Sequence, residues 1–62
     1  MTKRFMKEYG NDILKRKKEM SYPKEKLTEI EIRINKVINL YDRGYLTVTE
    51  TMKVLVDIDN DY

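Results

Sequence analysis

Five apolar residues, Leu27, Ile30, Ile34, Val37 and Tyr41, follow one another at spacings of 3, 4, 3 and 4. On an α-helix those positions form one stripe, with Ile38 beside it and Lys26, Glu29, Arg33 and Lys36 elsewhere. Ser21 and Pro23 mark the start, since proline is tolerated where the amide needs no partner. Gly44 marks the end, free to take the left-handed conformation that closes a helix. The spacing therefore predicts a helix from Tyr22 to Arg43, about 33 Å long at 1.5 Å per residue. Within it, "EIEIRIN" alternates as a strand would, but the heptad covers a longer window and favours helix.

The stretch "LYDRGYLTVTE" reads as a helix stop, a chain reversal and a helix start. Thr47 is a natural N-cap and Glu50 lies three residues on, the reciprocal capping-box arrangement. Val48, Met52, Leu55 and Ile58 then supply the apolar face of a third segment, although Val54, Leu55 and Val56 suit a strand equally well. The tail "DNDY", residues 59–62, is expected to fray. In the N-terminal segment, Phe5, Met6, Tyr9, Ile13 and Met20 gather on one helical side, with Lys3, Arg4, Lys7, Lys15 and Lys18 on the other. Gly10-Asn11 interrupts this pattern, and the glycine costs about 1 kcal/mol relative to alanine. Two forms stay open: one bent helix from about Lys3 to Met20, or a later start at Asn11 or Asp12.

The expected fold is a single all-α domain over residues 1–62, of two or three helices. A basic N-terminal helix (1–20) joins a long central helix that forms a helical hairpin (22–58), the whole completed by self-association. Size motivates that last element. A 62-residue chain buries only about 60% of the surface it exposes when unfolded, and small domains usually need a staple. With no Cys and no His, disulfides and the usual zinc ligands are missing, which leaves a second copy or a partner. Absence of Cys also fits a reducing cytoplasm. No apolar run approaches the roughly 20 residues of a membrane span, and the N-terminus lacks the apolar core of a secretory signal.

Composition adds two hints. Trp, Ala and Gln are absent while Lys, Ile, Asn and Tyr are plentiful, a bias associated with AT-rich genomes such as those of phages and mobile elements of low-GC bacteria. The net charge of +2 also conceals a polarity. Residues 1–26 carry nine Lys/Arg against four Asp/Glu, and residues 27–62 carry four against seven. Such a chain attracts anions with its first half, or pairs antiparallel with a second copy.

Residues able to do chemistry are scarce. Nucleophilic catalysis needs an activated nucleophile beside a base, and Ser21 next to Pro23 has none. Glu29 and Glu31 point to different helix faces, and Glu50 is engaged in capping. No catalytic, cofactor-binding or metal-binding residue is expected. Asp57, Asp59 and Asp61 resemble the start of a calcium loop, but Tyr62 stands where the turn glycine belongs and no closing Glu follows; a solvated acidic tail is the expectation. The run "KRKK", Lys15 to Lys18, points around the whole circumference of a helix. A phosphate-binding patch would instead join Lys3, Arg4, Lys7, Lys15 and Lys18, should that helix be continuous. A helix-turn-helix reader of DNA is disfavoured, because the third segment would present Thr49, Glu50, Lys53 and Asp57 to the groove, and carboxylates repel phosphate.

Apolar residues off the main stripe remain. Ile32 lies almost opposite the seam of the central helix and Leu40 lies to its side, so a second contact surface is expected there. Tyr22 and Tyr45, with Tyr41 and Tyr62, add amphipathic rings of the kind enriched at interfaces; Tyr41 and Tyr45 could equally close the hairpin core. Ile32, Leu40, Tyr22 and Tyr45 are the candidate partner-binding residues.

Residues from about Ile34 to Ile58, "INKVINLYDRGYLTVTETMKVLVDI", resemble the short helical hairpin known as the SHOCT family. Leu40, Tyr41, Asp42, Arg43, Gly44, Leu46, Thr47 and Glu50 match its pattern, whereas Tyr45 and Val48-Thr49 depart from it. The resemblance covers less than half of the chain. It implies a role in oligomerisation or docking and no catalytic residues.

Together these features lead to an expectation of a small, non-enzymatic, cytoplasmic interaction protein, phage-like in composition and oligomeric. It would need no cofactor and would dock on a partner protein to modulate, and more specifically inhibit, it. The alternative is a nucleic-acid-binding accessory or transcription-regulatory protein using the basic N-terminal helix.

Overall fold

A computed structural model describes residues 2–62 as three helices: α1 (Thr2–Glu19), α2 (Lys24–Asp42) and α3 (Val48–Asp61). The all-α expectation holds, and both segments that also suited a strand are helical throughout. Met1, part of the expected domain 1–62, lies outside the described residues. α1 antiparallels α2, because Lys3 at its start meets Asp42 at the far end of α2 and Gly10 faces Ile34 and Ile38 at mid-length. α3 antiparallels α2 in turn, its end reaching Glu29 and Arg33. The result is an up-down-up bundle measuring 33 × 17 × 15 Å.

The core is closed within one chain. Met6 and Ile13 of α1, Ile30, Ile34, Val37 and Ile38 of α2, and Leu55 and Ile58 of α3 are all buried. The α2 stripe is the one the heptad predicts, flanked by the half-buried Leu27 and Tyr41. These core residues are hidden within one copy of the chain.

α1 corrects the sequence reading. It runs unbroken through Gly10, and its inward stripe is Met6, Gly10, Ile13 and Lys17. Phe5 and Met20, assigned inward, are exposed, at 56% and 61%. Gly10 lets α1 sit close against α2: a Cβ there would lie 2.6 Å from Ile34 Cγ2. Its cost in helix propensity is accepted for the sake of that contact.

α3 corrects it twice more. Val48 is exposed, and Thr51 takes the inward position. A buried threonine is tolerable because its hydroxyl donates to the Thr47 carbonyl at 2.8 Å. The tail does not fray: α3 continues to Asp61, and Tyr62 packs on the core. Three cations from other helices hold this end. Arg16 meets Asp59 at 3.1 Å and Arg33 meets Asp61 at 3.6 Å. Lys17, buried, donates to the Asp59 carbonyl at 2.9 Å and lies 3.5 Å from the Asp59 carboxylate. That carbonyl belongs to the last turn of α3, where helix carbonyls lack partners and the dipole favours positive charge. α3 has no basic residue in its own last turn, so α1 supplies one.

Both turns use the same backbone device. After α2, the Gly44 amide donates to Tyr41 and the Tyr45 amide to Leu40, a Schellman motif with Gly44 at φ +87°. After α1, Ser21 donates to Lys18 and Tyr22 to Lys17, with Ser21 itself left-handed at φ 61°. Ser21 therefore closes α1, where the sequence had suggested that it opens α2. Pro23 precedes α2 without any side-chain cap, whereas Thr47 and Glu50 form the full capping box of α3.

Candidate docking surface

α2 presents three sides. One faces the core, and the flank beside α1 carries Lys24, Leu27, Thr28 and Glu31. The third faces outward, where Ile32, Asn35, Lys36, Asn39, Leu40 and Arg43 line a shallow groove of about 410 Å³. Ile32 and Leu40 are brought together here because they lie eight residues apart, two turns and some 80° of rotation. Ile32 is 62% exposed and Leu40 is half-buried.

The surface does not stop at α2. Leu40 and Lys36 also line a second groove, of about 340 Å³, whose far wall is Leu46 and Val54. Leu46 reaches it because the Schellman turn folds the chain back directly after Tyr45. The two grooves meet at Leu40 and Lys36 in one track crossing from α2 to α3, with Lys36 between Ile32 and Leu40, and Arg33 and Arg43 at its margins. Arg33 is held by Tyr62: its Nη1 donates to the Tyr62 hydroxyl at 3.3 Å, and that hydroxyl donates to the Glu29 carboxylate. The Tyr62 hydrogen bond, with Asp61 adding to it, raises Arg33 further above its already high pKa. Arg33 is already paired with Asp61, whereas Lys36 and Arg43 have no ion-pair partner among the described residues.

The four residues expected to bind a partner are not all together. Ile32 and Leu40 share the track. Tyr45, 72% exposed, sits at its turn end, tied to Leu40 through the backbone. Tyr22 is elsewhere: it packs on the core at the α1–α2 turn, its ring 5.4 Å from the Lys17 ammonium. Leu46 and Val54 belong to the surface and were not anticipated. Leu46 reads as turn chemistry in the sequence, and Val54 as an ordinary member of an apolar run.

The five residues of the alternative, phosphate-binding patch divide as well. Continuity of α1 puts Arg4, Lys7, Lys15 and Lys18 on one exposed face. Lys3 is drawn aside into a 3.1 Å pair with Asp42, and Arg4 is 3.4 Å from Glu8. Lys15 and Lys18 line a groove between α1 and α2 with Lys24, which the sequence reading left out, over a floor that includes Leu14 and Leu27. Glu31 is on the same wall and opposes an anion there. Of the acidic tail, Asp59 and Asp61 face Arg16, Lys17 and Arg33. None of the described helices is long and apolar enough to cross a membrane.

Fold and surface define a small three-helix bundle with one track of apolar and cationic residues on its outside. Compared with known proteins, the chain matches no family model, no curated protein and no solved structure.

Proposed function

We propose that this chain is a non-enzymatic docking protein whose α2–α3 track receives an acidic amphipathic helix of a partner protein. The observation that carries the reading is that the grooves holding Ile32 and Leu40, and Leu40, Leu46 and Val54, meet at Leu40 and Lys36, with Arg33 and Arg43 at their margins. Apolar anchors spaced along a groove are what a helix in a groove requires, and the cations Lys36 and Arg43 select a partner of opposite sign and fix its direction. A bundle seated this way covers the partner's own helix, so inhibition is the expected consequence. The docking role implied by the hairpin resemblance of residues 34–58 agrees with this.

A second reading rests on a different observation, the alignment of Lys7, Lys15 and Lys18 on one face of α1 with Lys24 nearby. That face suits a phosphate backbone, read without regard to sequence. One experiment separates the two. The tagged full chain captures partners from lysate with and without nuclease treatment, beside an Ile32→Asp/Lys36→Glu variant and a Lys7→Glu/Lys15→Glu/Lys18→Glu variant. A protein lost only with the first variant supports docking through the track. Capture that vanishes with nuclease, or only with the second variant, rejects it in favour of nucleic acid.

A further inference from the structure

The other exposed apolar surface lies on the opposite flank of α3. Val48, Met52 and Val56 succeed one another every four residues and line a groove of about 430 Å³ with Lys53 and Asp57. Val48 and Val56 are 46% and 41% exposed.

The charges on this flank indicate what covers it. Arg16, Lys17 and Arg33 all find carboxylates on α3. Lys53 and Asp57, one turn apart beside the apolar stripe, have no ion-pair partner among the described residues. A cation and an anion side by side on one rim are complementary to the same pair turned through a half-rotation. We propose that two copies associate about a twofold axis, their α3 helices antiparallel along this stripe, with Lys53 of each copy paired to Asp57 of the other. Asp57 lies about 140° around α3 from Met52, so the second copy sits on the Val56–Lys53 side of the groove; with Met52 level with Val56 of that copy, Lys53 is then about 3 Å along the axis from the opposing Asp57. A twofold contact uses the same patch on both subunits, and antiparallel helices also oppose their dipoles.

Sedimentation equilibrium of the full chain across the micromolar range tests this, with far-UV circular dichroism confirming that each variant keeps its helices. The wild type is expected to dimerise. Lys53→Asp alone sets two carboxylates against each other and should raise the dimer dissociation constant about tenfold or more. The double exchange Lys53→Asp/Asp57→Lys restores the pairing and should return it to near the wild-type value. Met52→Glu, at the centre of the stripe, should abolish the dimer. A wild type that stays monomeric throughout overturns the proposal. So does a dimer indifferent to Lys53→Asp, or one that the double exchange fails to restore. Ile32→Asp, on the far side of the bundle, should leave the dimer intact, so this test and that of the docking track fail separately.

Discussion

Gly10 and Gly44 are the only glycines in the chain, and each dispenses with a side chain for a different reason. Gly10 has ordinary helical backbone, and its constraint is space: an added Cβ would meet Ile34 Cγ2 at 2.6 Å and Ile38 Cδ1 at 3.4 Å. Gly44 has open space around it, with nothing within 4 Å of an added Cβ, and its constraint is a φ of +87°. One glycine is therefore fixed by tertiary contact with residues far along the chain, the other by the local course of the backbone. The two respond to mutation differently.

The largest effect is expected at Gly10. Gly10→Val forces branched carbon into the α1–α2 contact, and overpacking of this kind costs about 1–3 kcal/mol, well beyond the modest difference in helix propensity between the two residues. Because the clash has a named partner, it should couple to it. Ile34→Ala destabilises by itself through the cavity it leaves. Combined with Gly10→Val it should cost less than the two changes added, by about 1 kcal/mol. Urea unfolding of the four proteins in the cycle measures this; strict additivity would mean that Gly10 is not there to admit Ile34.

Gly44 should behave in the opposite way. Gly44→Val places a β-branched residue in the left-handed region, at about 1–2 kcal/mol, and no second substitution should relieve it, since no side chain is in the way. Gly44→Asn, whose side chain tolerates this conformation, should lose distinctly less in the same urea titration. Equal losses for valine and asparagine would show that space, rather than φ, governs the position.

This contrast also explains what was legible in the sequence. The end of α2, the capping box of α3 and the apolar stripe of α2 are consequences of residues within a turn or two of one another, and all three are where the pattern put them. Gly10 looked like an interruption because its justification, Ile34, lies 24 residues away. Lys17 looked like one more surface cation because the carbonyl it satisfies belongs to a helix not yet formed when only α1 is considered. A signal was present: Met6, Gly10, Ile13 and Lys17 repeat the spacing of 4, 3 and 4 that identified the core face of α2, but two of the four positions are occupied by residues that do not look apolar. Of the docking surface, Ile32 and Leu40 were visible as apolar residues off the stripe. Leu46 and Val54 join them only through the reversal of the chain, and Tyr22 was drawn away by packing at the other turn.

Ser21 carries the comparison to the first turn. It occupies the position after α1 that Gly44 occupies after α2, in the same left-handed conformation, but bears a Cβ. Ser21→Gly should relieve that strain. Part of the gain is offset by the greater freedom of glycine in the unfolded chain, leaving a stabilisation of about 0.5–1 kcal/mol. It is the one substitution discussed that should raise the thermal midpoint. A lowered midpoint would mean that the serine hydroxyl contributes more to the turn than its backbone costs.

The smallest effect separates the turns by their helix starts. α2 begins at Pro23 with no side-chain cap, so acid has no capping carboxylate to protonate there. α3 begins with Glu50, whose carboxylate accepts the Thr47 amide at 2.9 Å. That amide first, and the Thr47 hydroxyl second, hold the Glu50 pKa below its ordinary value. A carboxyl with a lower pKa folded than unfolded binds fewer protons in the native state, so its contribution grows with pH. The contribution is complete above the unfolded value of about 4.3 and disappears as the pH falls through the lower, folded one. Glu50→Gln keeps an amide oxygen able to accept the Thr47 bond and removes the titration. Urea midpoints of wild type and variant, followed downward from neutral pH, should therefore converge through the acidic range. Curves that stay parallel would show that the charge of Glu50 is immaterial to the α3 cap.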